Sequence, residues 1–173
     1  MKKIIMVAII LIMSFGVFSK PVKIRENEMI RFRVIANSNS EEDQYIKNEI
    51  VKSITPVIKK INKEASTAEE TRIKIQEKNI ELRNIIENSL IRNNSSLTYR
   101  INYGDNYFPQ KEYKNATIKE GNYESLVITL GEGKGENFWC ILFPPLCLLE
   151  VEEQENENIE YTSFLKEIFN KYF

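Results

Sequence analysis

At 173 residues the chain fits a single domain by size and can bury a real core. Its 24 basic and 25 acidic side chains leave a formal net charge of -1, so no electrostatic argument favours nucleic acid or an anionic membrane surface. Histidine is absent and there are 2 cysteines, which excludes Ser-His-Asp and Cys-His nucleophiles, imidazole zinc sites and a zinc site built on cysteine alone.

Residues 1–19 read as an export signal. Lys2 and Lys3 form a basic start, and Ile4 to Phe18 is an apolar run broken only by Ser14 and Gly16. As a helix this run spans roughly 22 Å, short of the ~30 Å hydrocarbon core of a bilayer. Val17-Phe18-Ser19 offers a cleavage site, although Lys20-Pro21 is an awkward context for it, so a short uncleaved anchor is the alternative. Either outcome places residues 20–173 outside the cytoplasm as one extracytoplasmic domain, where a disulfide persists.

Met29 to Ala36 alternates as a strand, with Ile30, Phe32, Val34 and Ala36 on one face and Arg31, Arg33 and Ile35 on the other. Paired arginines on a strand face are ordinarily a solvated or ion-paired surface. Asn37-Ser38-Asn39-Ser40 makes a turn. Ser40 and Asp43 form a variant capping box, opening a helix whose apolar stripe is Ile46, Ile50, Ile54, Val57, Ile58 and Ile61. Pro56 should kink that helix or end it near Thr55. Thr67 to Glu70 is a second capping box, from which another helix should run to about Ile91 over Ile75, Leu82, Ile86 and Leu90.

Leu97, Tyr99, Ile101 and Tyr103 alternate as a second strand that should end at Gly104-Asp105-Asn106. The 104–120 connection has no readable form. Tyr123 to Leu130 is a strand, Gly131-Glu132-Gly133-Lys134-Gly135 a flexible hairpin turn, and Phe138 to Phe143 a partner strand stopped by Pro144-Pro145. The glycine-rich turn is no phosphate cradle, because no helix N-terminus follows it and Glu132 and Glu136 would repel an anion. This hairpin would put Trp139 near the centre of a sheet.

If Phe143 and Pro144 centre a tight reversal, Cys140 and Cys147 face each other at disulfide distance. Closing that loop would contribute about 2.5 kcal/mol in the chain-entropy model, less any strain. Two buried thiols are the other possibility; the export signal favours the bond. Glu150 to Glu160 reads as an acidic linker, and Tyr161, Phe164, Leu165, Ile168, Phe169 and Tyr172 fall on one face of a closing helix. The expected fold is therefore α+β: a single domain with an N-terminal strand, two amphipathic helices, an antiparallel β portion with a disulfide-closed reversal, and a C-terminal helix.

The stretch R-F-R-V-I-A-N-S-N-S-E-E-D-Q (Arg31 to Gln44) and the segment G-N-Y-E-S-L (Gly121 to Leu126), running on to N-F-W-C-I-L-F-P-P-L-C (Asn137 to Cys147), resemble the stage II sporulation protein R family. The chain departs from the family pattern at Phe138, where a second Trp is common, and at Asn39, where Asp is frequent. The resemblance implies a secreted intercellular signal of endospore formation, placed in the space between forespore and mother cell. There it would activate a membrane-embedded aspartic protease that processes pro-sigma-E. It implies no enzyme activity, no cofactor, no metal, no nucleic acid and no small-molecule substrate, and membrane contact only through an uncleaved N-terminal segment.

Two other classes compete with this one. A secreted enzyme would have only carboxylates for acid–base work, and no Asp/Glu pair stands in an apolar setting. A structural envelope protein would be held by its uncleaved anchor. For a ligand, contact anchors are expected among aromatic and Arg side chains. The candidates are Trp139, Phe143, Pro144 and Pro145, with Arg31, Arg33 and the turn Asn37, Ser38, Asn39, Ser40 as a polar second site.

Overall fold

The computed structural model describes residues 28–113 and 116–145. These belong to one of the chain's two compact units, Arg25–Ile159. The export segment, the acidic linker and the C-terminal helix expected from sequence lie outside the described residues.

Strand β1 (Ile30–Ile35) leads through the Asn37–Ser40 turn into helix α1 (Glu41–Glu64). Helices α2 (Ala68–Glu77) and α3 (Asn79–Arg92) follow, then strand β2 (Tyr99–Phe108), a small hairpin of β3 (Lys111–Tyr113) and β4 (Ala116–Ile118), and strands β5 (Gly121–Leu130) and β6 (Asn137–Phe143). The main sheet has the order β2-β5-β1-β6. Thus the fold of the described residues is α+β with three helices and a mixed sheet.

Both N-caps form as expected, but neither box closes reciprocally: Glu70 accepts from the Ser66 amide, and Asp43 from the Asn37 and Ser38 side chains. The Ser40 hydroxyl accepts from the Asp43 amide at 3.2 Å and the Thr67 hydroxyl from the Glu70 amide at 3.1 Å. Every residue expected on the α1 stripe is buried, and so are Ile75, Leu82, Ile86 and Leu90. That apolar stripe explains why α1 does not stop at Pro56: Ile54, Val57, Ile58 and Ile61 keep one buried line only if the helix continues. Thr55 donates its hydroxyl to the Val51 carbonyl at 2.7 Å beside the proline. The expected second helix is split at Lys78, which ends α2 and starts α3 with φ -88° and ψ 0°.

The β portion corrects the sequence expectation more deeply. It is not purely antiparallel, because β1 runs parallel to β5, with Phe32 beside Leu126 and Val34 beside Ile128. Three helices intervene between β1 and the later strands, which supplies the long crossover that parallel pairing requires. Nor do β5 and β6 form a hairpin: β1 lies between them, and among the described residues β6 pairs antiparallel with β1 only. Trp139 therefore sits on an edge strand. β2 also runs past Gly104 to Phe108, paired with β5 along its whole length.

The glycine-rich link crosses β1 instead of reversing beside it, and it is clasped by the Asn37–Ser40 turn. Glu132 donates its amide to Asn37 Oδ1 at 2.9 Å and Glu136 to Asn39 Oδ1 at 2.7 Å. Lys134 and Gly135 donate to the carbonyls of Asn37 and Ala36 at 3.0 and 2.9 Å. This is a fixed crossing, where the sequence suggests a flexible turn. Gly131 has φ 51°, and a Cβ on Gly135 would collide with the Ser38 carbonyl oxygen.

Candidate functional site

β1 distributes its side chains to two environments. Ile30, Phe32 and Val34 are buried with Leu126, Ile128 and Leu130 in the core, and α1 packs on β1 and β6. The opposite sheet face follows from the pairing register: Arg31, Arg33 and Ile35 on β1, Tyr123 to Thr129 in alternation on β5, Arg100 to Phe108 on β2, and Asn137, Trp139 and Ile141 on β6. The residues so placed include three arginines and no carboxylate.

On that face, cations and rings alternate in a ladder. The Arg31 guanidinium lies 4.3 Å from the Phe108 ring centre and 5.0 Å from that of Tyr123. Arg33 lies 4.9 Å from Phe108 and 5.5 Å from Trp139, and the Lys111 ammonium sits 4.8 Å over Trp139. Phe108 meets Trp139 edge-on at 5.5 Å and Tyr123 at 6.3 Å. A guanidinium stacked on aromatic faces keeps favourable electrostatics after losing its water.

The two ends of the ladder differ. Arg31 is 0% exposed and Tyr123 is buried, so the Arg31 end is closed. Arg33 is half-buried, and among the described residues it has no carboxylate partner. Burial, followed by the neighbouring Arg31 charge, pushes its guanidinium below the ordinary arginine value. Beside it lies a recess of about 520 Å³ that crosses the sheet face from Arg33 of β1 over Val127 and Thr129 of β5 to Arg100, Asn102 and Asn106 at the β2 edge.

A second polar cluster ties the helices to the sheet. Arg72 of α2 donates through Nε to both Glu124 oxygens at 2.8 and 2.9 Å, and Tyr103 donates its hydroxyl to Glu124 at 2.5 Å. Burial pushes the Glu124 carboxyl up, but hydrogen bonds from Arg72 and then Tyr103 outweigh it and hold the group below the usual carboxylate range. Burial, then Glu124, pushes the Tyr103 hydroxyl up. This arrangement is an ion pair holding α2 on β5.

The structure brings together Arg31, Arg33 and Trp139, since Arg33 and Trp139 are direct partners in the β1–β6 register. The solvated surface that sequence suggests is corrected at Arg31, which is 0% exposed with Phe108 and Tyr123 approaching it from β2 and β5. Phe143 and Pro144 are buried and Pro145 is half-buried, so the Pro-Pro tip offers little free surface. Asn37, Ser38, Asn39 and Ser40 use their side chains within the protein. Asn37 and Ser38 donate to Asp43 at 2.9 and 2.5 Å, and Ser38 is the largest influence holding that carboxyl below its ordinary value. Cys140 is buried, while Cys147 lies outside the described residues, so the disulfide remains a proposal.

Sequence reasoning missed Phe108, Lys111, Arg100, Asn102 and Asn106. The signal for most of them is present: continuing the Tyr99–Tyr103 alternation through Gly104 puts Arg100, Asn102, Asn106 and Phe108 on one face. Among the described residues no group of three or more His, Cys, Asp or Glu side chains could hold a metal ion, and no helix is long and apolar enough to cross a membrane.

Fold and face together define an α+β domain with an aromatic-lined, cationic sheet surface. The family model for stage II sporulation protein R matches residues 26–153. Stage II sporulation protein R of Bacillus subtilis (strain 168) is 35% identical over 145 residues, covering 80% of this chain. The chain belongs to the stage II sporulation protein R family. It spans 64% of that relative's length. No solved structure matches it.

Proposed function

We propose that this protein is a secreted signal of endospore formation, acting between forespore and mother cell, that activates a membrane-embedded aspartic protease to process pro-sigma-E. Family membership supports the sporulation role, and the N-terminal basic-apolar sequence supports export. The observation that carries a ligand role is the Arg33–Trp139 end of the ladder. A half-buried guanidinium over two rings, with no carboxylate partner among the described residues, has the chemistry of an interface anchor. A ligand without catalytic groups acts by binding the active state of its target more tightly than the resting state.

Co-expressing the exported protein with the protease and pro-sigma-E in a host that does not sporulate tests this reading. Cleavage of pro-sigma-E only when all three are present is the expected result. Absence of cleavage despite folded, exported protein would refute it. A structural envelope protein held by an uncleaved anchor is the second reading, motivated by the weak cleavage context at Ser19-Lys20-Pro21. A chain starting at Lys20 behind an unrelated export signal should keep its activity if the protein is a diffusible ligand, and lose it if anchoring is required.

A further inference from the structure

We propose that the recess at the β2 edge binds an extended, acidic segment of the partner protein, which pairs with β2 and places a carboxylate between Arg33 and Arg100. The proposal rests on the signalling reading above and names the chemistry that such a partner would present.

Three observations converge on it. First, β2 is an edge strand of ten residues, and no strand among those described pairs with its outer side. Its outer backbone groups form a template for an added strand. Second, the recess draws residues from both sheet faces: Arg33, Arg100, Asn102 and Asn106 from one, Tyr99 from the other, with Arg83 of α3 beside it. The rest of its lining, Ile35 of β1 and Val127 and Thr129 of β5, carries the recess across the open sheet face, so it opens at the β2 edge and admits a side chain of an added strand onto that face. Third, the charge is one-sided. Arg33 and Arg100 have no carboxylate partner among the described residues, and no acidic side chain lines the recess. Arg83 donates through Nε to Asn79 at 2.9 Å and Tyr99 gives its hydroxyl to Glu87 at 2.7 Å, so the helix-side half is already engaged. The carboxylate belongs on the Arg33–Arg100 side, where Asn102 and Asn106 add amide donors.

Arg33 and Arg100 are positioned to act together. Arg33 is the register partner of Val127 and Arg100 that of Thr129, on the two strands flanking β5. They bracket the Val127–Thr129 floor diagonally. Arginine offers planar, two-pronged donation to a carboxylate, and the Arg33 prong is held in place by Phe108 and Trp139. A bound carboxylate would also offset the repulsion that Arg33 receives from Arg31.

The test uses the full, exported chain and a fluorescein-labelled peptide of alternating threonine and glutamate, read by fluorescence anisotropy. The matching threonine–glutamine peptide and phosphatidylglycerol vesicles are the comparison probes. The glutamate peptide should bind at least about ten-fold more tightly than the glutamine peptide, with the preference fading in high salt. Arg33→Gln should remove most of this preference. Arg33 is half-buried, so the exposed Arg100→Glu provides a variant that keeps its circular dichroism and should repel the acidic peptide. Equal binding of the two peptides, or an Arg100→Glu protein that binds the glutamate peptide as the parent does, would overturn the proposal. So would arginine-dependent binding to vesicles without peptide binding, which would make the face a membrane contact. The co-expression assay separates the two readings. Peptide binding without pro-sigma-E cleavage retains the site and removes the signalling role. Cleavage that Arg100→Glu leaves unchanged, with no peptide preference, does the reverse.

Discussion

Gly135→Ala is the most direct perturbation of the crossing that seats β6. A Cβ at this position would collide with the Ser38 carbonyl oxygen and lie 2.9 Å from the Ala36 Cβ, and both obstacles belong to backbone or to a side chain with no freedom to turn away. The link would have to lift from the Asn37–Ser40 turn. Lifting breaks the hydrogen bonds donated by the Lys134, Gly135 and Glu136 amides, at 3.0, 2.9 and 2.7 Å. At about 1 kcal/mol net for each, the loss is about 3 kcal/mol. For a chain of this size that lowers the melting temperature by about 6–12 °C. Thermal unfolding followed by circular dichroism measures it, and hydrogen exchange at the Glu136 amide shows whether the clasp is what opens. Gly121→Ala is the matched control, since its Cβ would meet nothing closer than the Tyr123 ring at 3.6 Å. If Gly135→Ala melts within about 2 °C of the parent, the clasp does not anchor the link and the reasoning fails.

Glu124→Gln should destabilise by about 1–2 kcal/mol, allowing for the partial exposure of its ion pair with Arg72. Because the folded carboxyl titrates below its unfolded value, its contribution is present above the unfolded pKa and disappears as pH falls through the folded one. The parent's melting temperature should accordingly fall more steeply in acid than the variant's, and parallel curves would contradict the linkage. Phe108→Ala removes the ring shared by Arg31, Arg33, Tyr123 and Trp139 from a site that is 0% exposed, costing about 3–5 kcal/mol in chemical denaturation. Emission from Trp139, the only tryptophan, should change in the folded state of that variant, and an unaltered spectrum would argue against the contact. Alkylation of the unreduced, exported protein should leave Cys140 and Cys147 unmodified by mass spectrometry, whereas two alkylated thiols would exclude the bond.

Local periodicity carried most of the element assignments. The stripe from Ile46 to Ile61 and the alternation from Ile30 to Ala36 state their own burial, because a helix or strand with one apolar face has one way to hide it. Capping at Ser40 and Thr67 was equally legible, being a bond between residues three apart. Strand order was not. Alternation shows which face of β5 and β6 is apolar but not that β1 inserts between them, so the glycine link reads as a hairpin until the pairing is seen. Gly104 misled in a similar way. It weakens a strand locally, yet pairing with β5 on both sides carries β2 through to Phe108.

The candidate site was half legible for the same reason. Arg31, Arg33 and Trp139 could be selected by residue type, but their different fates depend on what crosses above them. Phe108 and Tyr123 close over Arg31 and make it part of the structure, while Arg33, one step along the same face, is left beside the recess. Mutations at the two arginines should therefore separate. Arg31 substitutions act through folding, because a buried guanidinium stacked between two rings cannot be removed without repacking them. If the proposed recess is the contact surface, Arg33 substitutions should act on recognition, together with the exposed Arg100. A screen that scored activity alone would group the two. Scoring activity against melting temperature would place Arg31 variants on the line where activity falls with stability, and Arg100 variants off it, inactive at parental stability. Arg100 variants falling on that same line would mean that the open end of the ladder is structural too, and that the contact surface lies elsewhere on the domain.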